Sequence, residues 1–174
     1  VTMMSGLTVE IISTDAEGRM ILADALHYAK RFIPRGVVDI ATLTGAKVTA
    51  LGAYYAGLLT QNESLALQLQ QAAGSVNEKL WRLPLSDDML PELKSRIADL
   101  RNTGRSAGAS TAALFLQQFV GSTEVKFVGM TVNLDRRQEG TSGEIDTNNF
   151  MGLFTNDIAD SIDNRCIEKV TGSL

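Results

Sequence analysis

Ser13-Thr14-Asp15-Ala16-Glu17-Gly18-Arg19 decides how this chain folds. Before it, Thr8-Val9-Glu10-Ile11-Ile12 alternates as a strand does. After it, from Met20 to Phe32, Ile21, Leu22, Ala25, Leu26 and Ala29 recur at the spacing of one buried helix face. Two carboxylates and a guanidinium therefore meet where a strand hands over to a helix. In α/β proteins, ligands gather at that place, just beyond the carboxyl ends of strands.

Moving outward, Pro34 and Gly36 end the helix, and Val37-Val38-Asp39-Ile40-Ala41 is an apolar strand of the buried, parallel type. Thr42-Leu43-Thr44-Gly45-Ala46 is the turn at its carboxyl end. Tyr55 to Leu59 predicts another strand, and Asn62 to Ala73 a helix ended by Gly74. Leu80 to Leu85 is extended, Asp87 to Leu93 a short helix, and Ser95 to Ser110 a long loop. Thr111 to Val120 is an apolar helix ended by Gly121, and Val125 to Val132 a strand. This alternation predicts an α/β fold with a mixed, largely parallel sheet flanked by helices. After Leu134 the pattern fails, so 1–134 is expected to form the domain and 135–174 a divergent tail. The apolar opening, with no cap or turn before it, is expected of a chain cut from something longer.

The 174 residues suffice for one core, and 44% hydrophobic with 21% charged content is that of a globular protein. A net charge of −4 disfavours nucleic acid and offers no basic face to a membrane. No apolar run approaches the roughly 18 residues of a membrane span. Cys166 is the sole cysteine, which rules out an internal disulfide and fits a reducing compartment, and Val1-Thr2-Met3-Met4 lacks the regions of a signal peptide; a cytoplasmic location is expected.

Spacing alone leaves two meanings for the central motif. Thr14 and Glu17 have the spacing of a capping box, and acidic residues suit a first helical turn. Alternatively, Asp15 and Glu17, two apart in a turn, point into one site as oxygen ligands for a divalent cation, with Arg19 as a fixed positive charge beside them.

Further blocks favour the second meaning. Thr14 to Arg19 matches six of the seven residues in the hallmark of the leucyl (cytosol) aminopeptidases, with Ser13 in place of an asparagine. Met4-Ser5-Gly6-Leu7-Thr8-Val9-Glu10 precedes the hallmark and Ile21-Leu22-Ala23-Asp24-Ala25-Leu26 follows it, as in that family. Val38 to Ala46 is similar to a second family block. Leu80 to Leu85, with Lys94-Ser95, Ala98-Asp99-Leu100 and Asn102, is similar to a third. Ala112 to Leu116 with Phe119-Val120 is similar to a fourth.

The resemblance implies a two-metal aminopeptidase that removes N-terminal, preferentially apolar, residues from peptides. Asp15 and Glu17 would bind two divalent cations (zinc, manganese or magnesium), Asp15 also through its backbone carbonyl. Arg19 would hold a bicarbonate ion that shuttles protons. Such cations lower the pKa of a shared water and stabilise the developing oxyanion. Leu43 would offer its carbonyl and Gly45 its N–H to the peptide, and Thr42 would line the pocket for the first side chain. The family assembles as a hexamer.

The family also carries an upstream stretch with a metal-binding lysine, two metal-binding aspartates and a catalytic lysine. Residues 1–174 hold none of it, and Lys126 to Val132 departs from the family's aspartate and Ala-Gly pair. The isolated chain is therefore expected to be inactive unless another polypeptide supplies those ligands; the alternative is a non-catalytic, truncated paralogue used for assembly or binding. His27, the single histidine, is expected to be a surface or satisfied helix residue. Tyr54 and Tyr55 are expected in the core or an interface, and Arg136-Arg137 in solvent.

Overall fold

The computed structural model describes residues 1–75, 77–121 and 126–131. The chain runs β1 (Val9–Glu10), a 3-10 turn (Thr14–Ala16), α1 (Gly18–Ala29), β2 (Gly36–Ala41), α2 (Gly45–Leu51), β3 (Ala56–Leu59), α3 (Glu63–Ser75) and β4 (Leu80–Arg82). A 3-10 segment (Asp87–Leu93), β5 (Leu100–Arg101), α4 (Gly108–Val120) and β6 (Lys126–Thr131) follow.

Four strands form one sheet in the order β2-β6-β3-β4. β2 pairs parallel to β6 and β3 parallel to β4, while β3 and β6 run antiparallel. The expected α/β class, a largely parallel sheet flanked by helices, is the observed one. The sheet is covered on both faces, as buried parallel strands require. Because side chains alternate along a strand, Val37 and Phe127 join Leu22, Ala23 and Leu26 of α1 and Leu114, Phe115 and Phe119 of α4. Their neighbours Val38, Ile40, Val128 and Met130 face the other way, onto Leu65, Ala66, Leu69 and Ala73 of α3.

β1 and β5 form a separate two-stranded parallel ladder, Val9 beside Leu100 and Glu10 beside Arg101. Side chains reinforce so short a ladder. Asp99 Oδ2 accepts from the Thr8 amide at 2.8 Å and from the Thr8 hydroxyl at 2.6 Å, and the Ser95 hydroxyl donates to Glu10 at 2.6 Å. The first and third sequence blocks are thus one structural unit.

Several local expectations are corrected. The strand expected over 8–12 is two residues long, because beyond Glu10 its partner is a side chain (below). Ile21 is 57% exposed; the buried stripe of α1 is Leu22, Ala23, Leu26 and Ala29, rotated by one position. The Thr42–Ala46 turn becomes helical at Gly45. α3 runs through Gly74 to Ser75. The 95–110 loop contains β5 and the first turn of α4. Ahead of that helix Ala107 has φ +46°, a left-handed conformation stabilised by Glu92, whose carboxylate accepts from the Arg105 and Ser106 amides at 2.7 and 2.8 Å. Those bonds, with the Ser106 hydroxyl, hold the Glu92 carboxyl below its ordinary value. Tyr54 is 72% exposed and is no core residue, whereas Tyr55 packs edge-on against Trp81. The 134/135 boundary, Arg136-Arg137 and Cys166 lie outside the described residues.

Candidate active site

The seven-residue motif forms a short arch. From Ser13, extended, the chain enters the 3-10 turn, and α1 begins at Gly18. The capping box does not form. Neither Ser13 nor Glu17, the residues preceding the two helical segments, makes a side-chain cap bond. Ala16 is buried, whereas Thr14, Asp15 and Glu17 are exposed. Among the described residues the carboxylates of Asp15 and Glu17 have no hydrogen bond or ion pair, so they are open to an external ligand.

Arg19 behaves in the opposite way. It is 8% exposed, and its Nη1 donates to the Asn102 carbonyl at 2.9 Å. Burial lowers its pKa from the ordinary arginine value, yet no partial neutralisation follows, since guanidinium stays protonated in proteins. The arch therefore presents two outward carboxylates backed by one inward, fixed cation.

The second turn lies at the end of β2. Thr42 is exposed. Leu43 is partly buried on the same apolar cluster that Met20, just past the arch, packs against. That shared cluster is what sets the two turns on one body. The Leu43 side chain is anchored inward on that cluster. Gly45 is exposed and has no heavy atom within 4 Å of where a Cβ would stand, so open space adjoins its backbone. Thr44 Oγ1 is buried with no partner. α2 is held close to α4: a Cβ on Gly108 would come within 3.0 Å of Ala46 Cβ. Lys47 of α2 is 1% exposed and donates through Nζ to the Gly52 carbonyl at 3.0 Å, closing the helix's carboxyl end.

Three features escape sequence reasoning. Asn102 is a 1% exposed polar residue bound to the arch. Asp39 sits inside β2, 1% exposed, with Oδ1 unpartnered, and burial pushes its carboxyl up to about 7. A lone acid within an apolar strand is the only signal that could have marked it. His27 Nδ1 is buried without a partner, so the expectation of a surface or satisfied histidine is not met. Among the described residues no group of three or more His, Cys, Asp or Glu side chains converges as a complete metal site. No helix of the described residues is long and apolar enough to cross a membrane.

Comparison with known proteins supplies the remaining context. Residues 1–153 match the catalytic domain of the cytosol aminopeptidase family. A Shewanella oneidensis protein named "Probable cytosol aminopeptidase 1" is 56% identical over 124 residues, covering 70% of this chain and 25% of the relative. One from Variovorax paradoxus, "Probable cytosol aminopeptidase", is 57% identical over 122 residues, 70% of this chain and 24% of the relative. A solved structure of a tomato leucine aminopeptidase mutant superposes with a TM-score of 0.71 at 46% identity, covering 74% of this chain and 25% of that one. The chain thus spans about a quarter of the length of the relatives it matches. A family match that takes in most of the chain, and a fold that agrees with it, place this protein in the cytosol aminopeptidase family, within its catalytic domain.

Proposed function

We propose that this chain carries part of the active site of a two-metal aminopeptidase acting on peptides with a free N-terminus, apolar first residues preferred. The observation that carries this is the pair of exposed, unpartnered carboxylates at Asp15 and Glu17, held on an arch whose capping role they do not perform. Carboxylate oxygens suit zinc, manganese and magnesium, so the donor type fits. Two carboxylates fall short of the three or more protein ligands a cation usually takes, so further ligands must come from outside the described residues. Bound cations would supply Lewis acidity and an activated water.

The chain's own residues do the rest. Asp15 and Glu17 hold the cations. Arg19 keeps a positive charge behind them and is the residue to retain a bicarbonate ion. Leu43 presents its carbonyl and Gly45 its N–H to the peptide backbone, while Thr42 borders the first side chain. The whole enzyme is proposed to be a cytoplasmic homo-oligomer, a hexamer, that binds neither membrane nor nucleic acid.

The test is calorimetric titration of the purified chain with Mn²⁺ or Zn²⁺. Binding that vanishes in the Asp15→Asn, Glu17→Gln double variant supports the proposal; equal binding by the variant overturns it. Hydrolysis of a leucine-derived chromogenic amide by the chain alone is expected to be absent, and clear turnover would refute the need for added ligands. A second reading, a non-catalytic paralogue used for assembly or binding, is favoured by the lack of a three-ligand cluster among the described residues. It predicts no cation binding.

A further inference from the structure

One residue touches both ends of the arch. The β1–β5 ladder continues one rung past its last strand pair, through the Asn102 amide to the Glu10 carbonyl at 3.0 Å. Beyond that rung the Asn102 side chain takes over from backbone. Its Oδ1 accepts from the Ile12 amide at 2.9 Å and the Ser13 amide at 3.3 Å, and its Nδ2 donates to the Ser13 carbonyl at 2.7 Å. Its backbone carbonyl receives Arg19 Nη1 at 2.9 Å. Residues 13 and 19 are thus tied to the same residue, 1% exposed.

We infer that Asn102 is the positioning residue of the carboxylate arch. A carboxamide presents a donor and an acceptor side by side in one plane, as a peptide group does. It can therefore substitute for a rung of the ladder while ending the strand, which frees the chain to turn into the 3-10 segment. The bond to Arg19 closes the arch from its far end. Asp15 and Glu17, between the two ties, take their placement from a residue more than eighty positions away in sequence. The role of the arch in holding cations rests on the function proposed above; the clamp itself does not.

Amide hydrogen exchange, corrected for intrinsic rates, separates clamp from mere packing. In Asn102→Ala, protection at Ile12 and Ser13 is expected to fall at least tenfold while α4 and β2 keep theirs. Unchanged protection at 12 and 13 overturns the inference. The near-isosteric Asn102→Asp adds a readout that a volume-filling role would not move. At acid pH its protonated carboxyl can donate to the Ser13 carbonyl, as Nδ2 does; once ionised it can only repel that oxygen. Arg19 donates to the backbone carbonyl of the same residue, and the Glu10 carboxylate on the neighbouring strand is bonded to Ser95. The ¹³C shift of the Ser13 carbonyl is expected to approach that of the native chain at pH 4 and to move away from it by pH 7, while the Ile12 and Ser13 amides, which donate to the other oxygen, keep their protection. An unchanged Ser13 carbonyl shift at both pH values overturns the clamp even if Asn102→Ala fails to fold. Line broadening by Mn²⁺ at residues 14–18 is read in parallel: its absence in the native chain counts against the cation reading and leaves the exchange result intact.

Discussion

Two strand-to-helix handovers in this molecule are held by different forces. The first, from β1 to α1, leaves a strand of two residues and is fixed by polar bonds to Asn102, Asp99 and Ser95. The second, from β2 to α2, leaves a strand of six residues and is fixed by packing: Leu43 on the main cluster and Ala46 against Gly108. Each contains acid. At the first, Asp15 and Glu17 are exposed and unpartnered. At the second, Asp39 is enclosed and pushed up to about 7. The contrast is one of environment: one acid pair faces solvent and the other acid faces the interior. The first pair is open to solvent, while burial makes the charge of the second costly.

The largest expected effect breaks both handovers together. Phe115 of α4 is fully buried in the cluster on which Met20 and Leu43 rest. Phe115→Ala should cost about 3–5 kcal/mol, read by chemical denaturation. A loss confined to one turn's exchange protection would show that the two do not share a support.

Next is Asp39. Between the ordinary carboxyl value and about 7, the folded chain keeps a proton that the unfolded chain releases. Stability therefore falls as pH rises through that window and levels off above it. Asp39→Asn removes the titration. It should stabilise the chain by up to about 4 kcal/mol at pH 8 and change little at pH 4. Thermal melts at both pH values decide, and an equal effect at each would refute the burial account.

Smaller still is Asn102→Ala, which strands the Ile12 and Ser13 amides and should cost about 1–2 kcal/mol. Its loss should appear at the first handover and spare the second. The smallest effect belongs to Asp15→Asn with Glu17→Gln. These side chains are exposed and unbonded, so stability should shift by less than about 0.5 kcal/mol. A large destabilisation would reveal a structural duty at the arch and remove the contrast with Asp39.

Much of the layout is legible in the residues. The apolar runs at 37–41 and 111–120 announce a buried strand and a buried helix, and both exist. What is not legible depends on partners far away in the chain. Thr14 and Glu17 have capping-box spacing, yet their backbone enters a 3-10 turn first, and no cap bond forms. Ile21 fits the apolar period, but the helix turns by one residue so that Ala23 meets the core. The α2 helix does not announce itself, because it is seven residues long and holds glycine and threonine, which carry weak helical preference.

Local chemistry in the sequence established the α/β alternation, the strand-to-helix place of Asp15, Glu17 and Arg19, and the blocks that mark the family. These rest on period, side-chain type and order, which are properties of neighbours along the chain. The tertiary structure decided which of the three charged side chains faces water and which faces inward. It also joined the first block to the third through Asn102, and it buried Asp39 without a partner for its Oδ1. Exposure and long-range hydrogen bonding exist only after distant segments meet, because desolvation and bond geometry depend on what surrounds an atom in space and not on what precedes it in sequence.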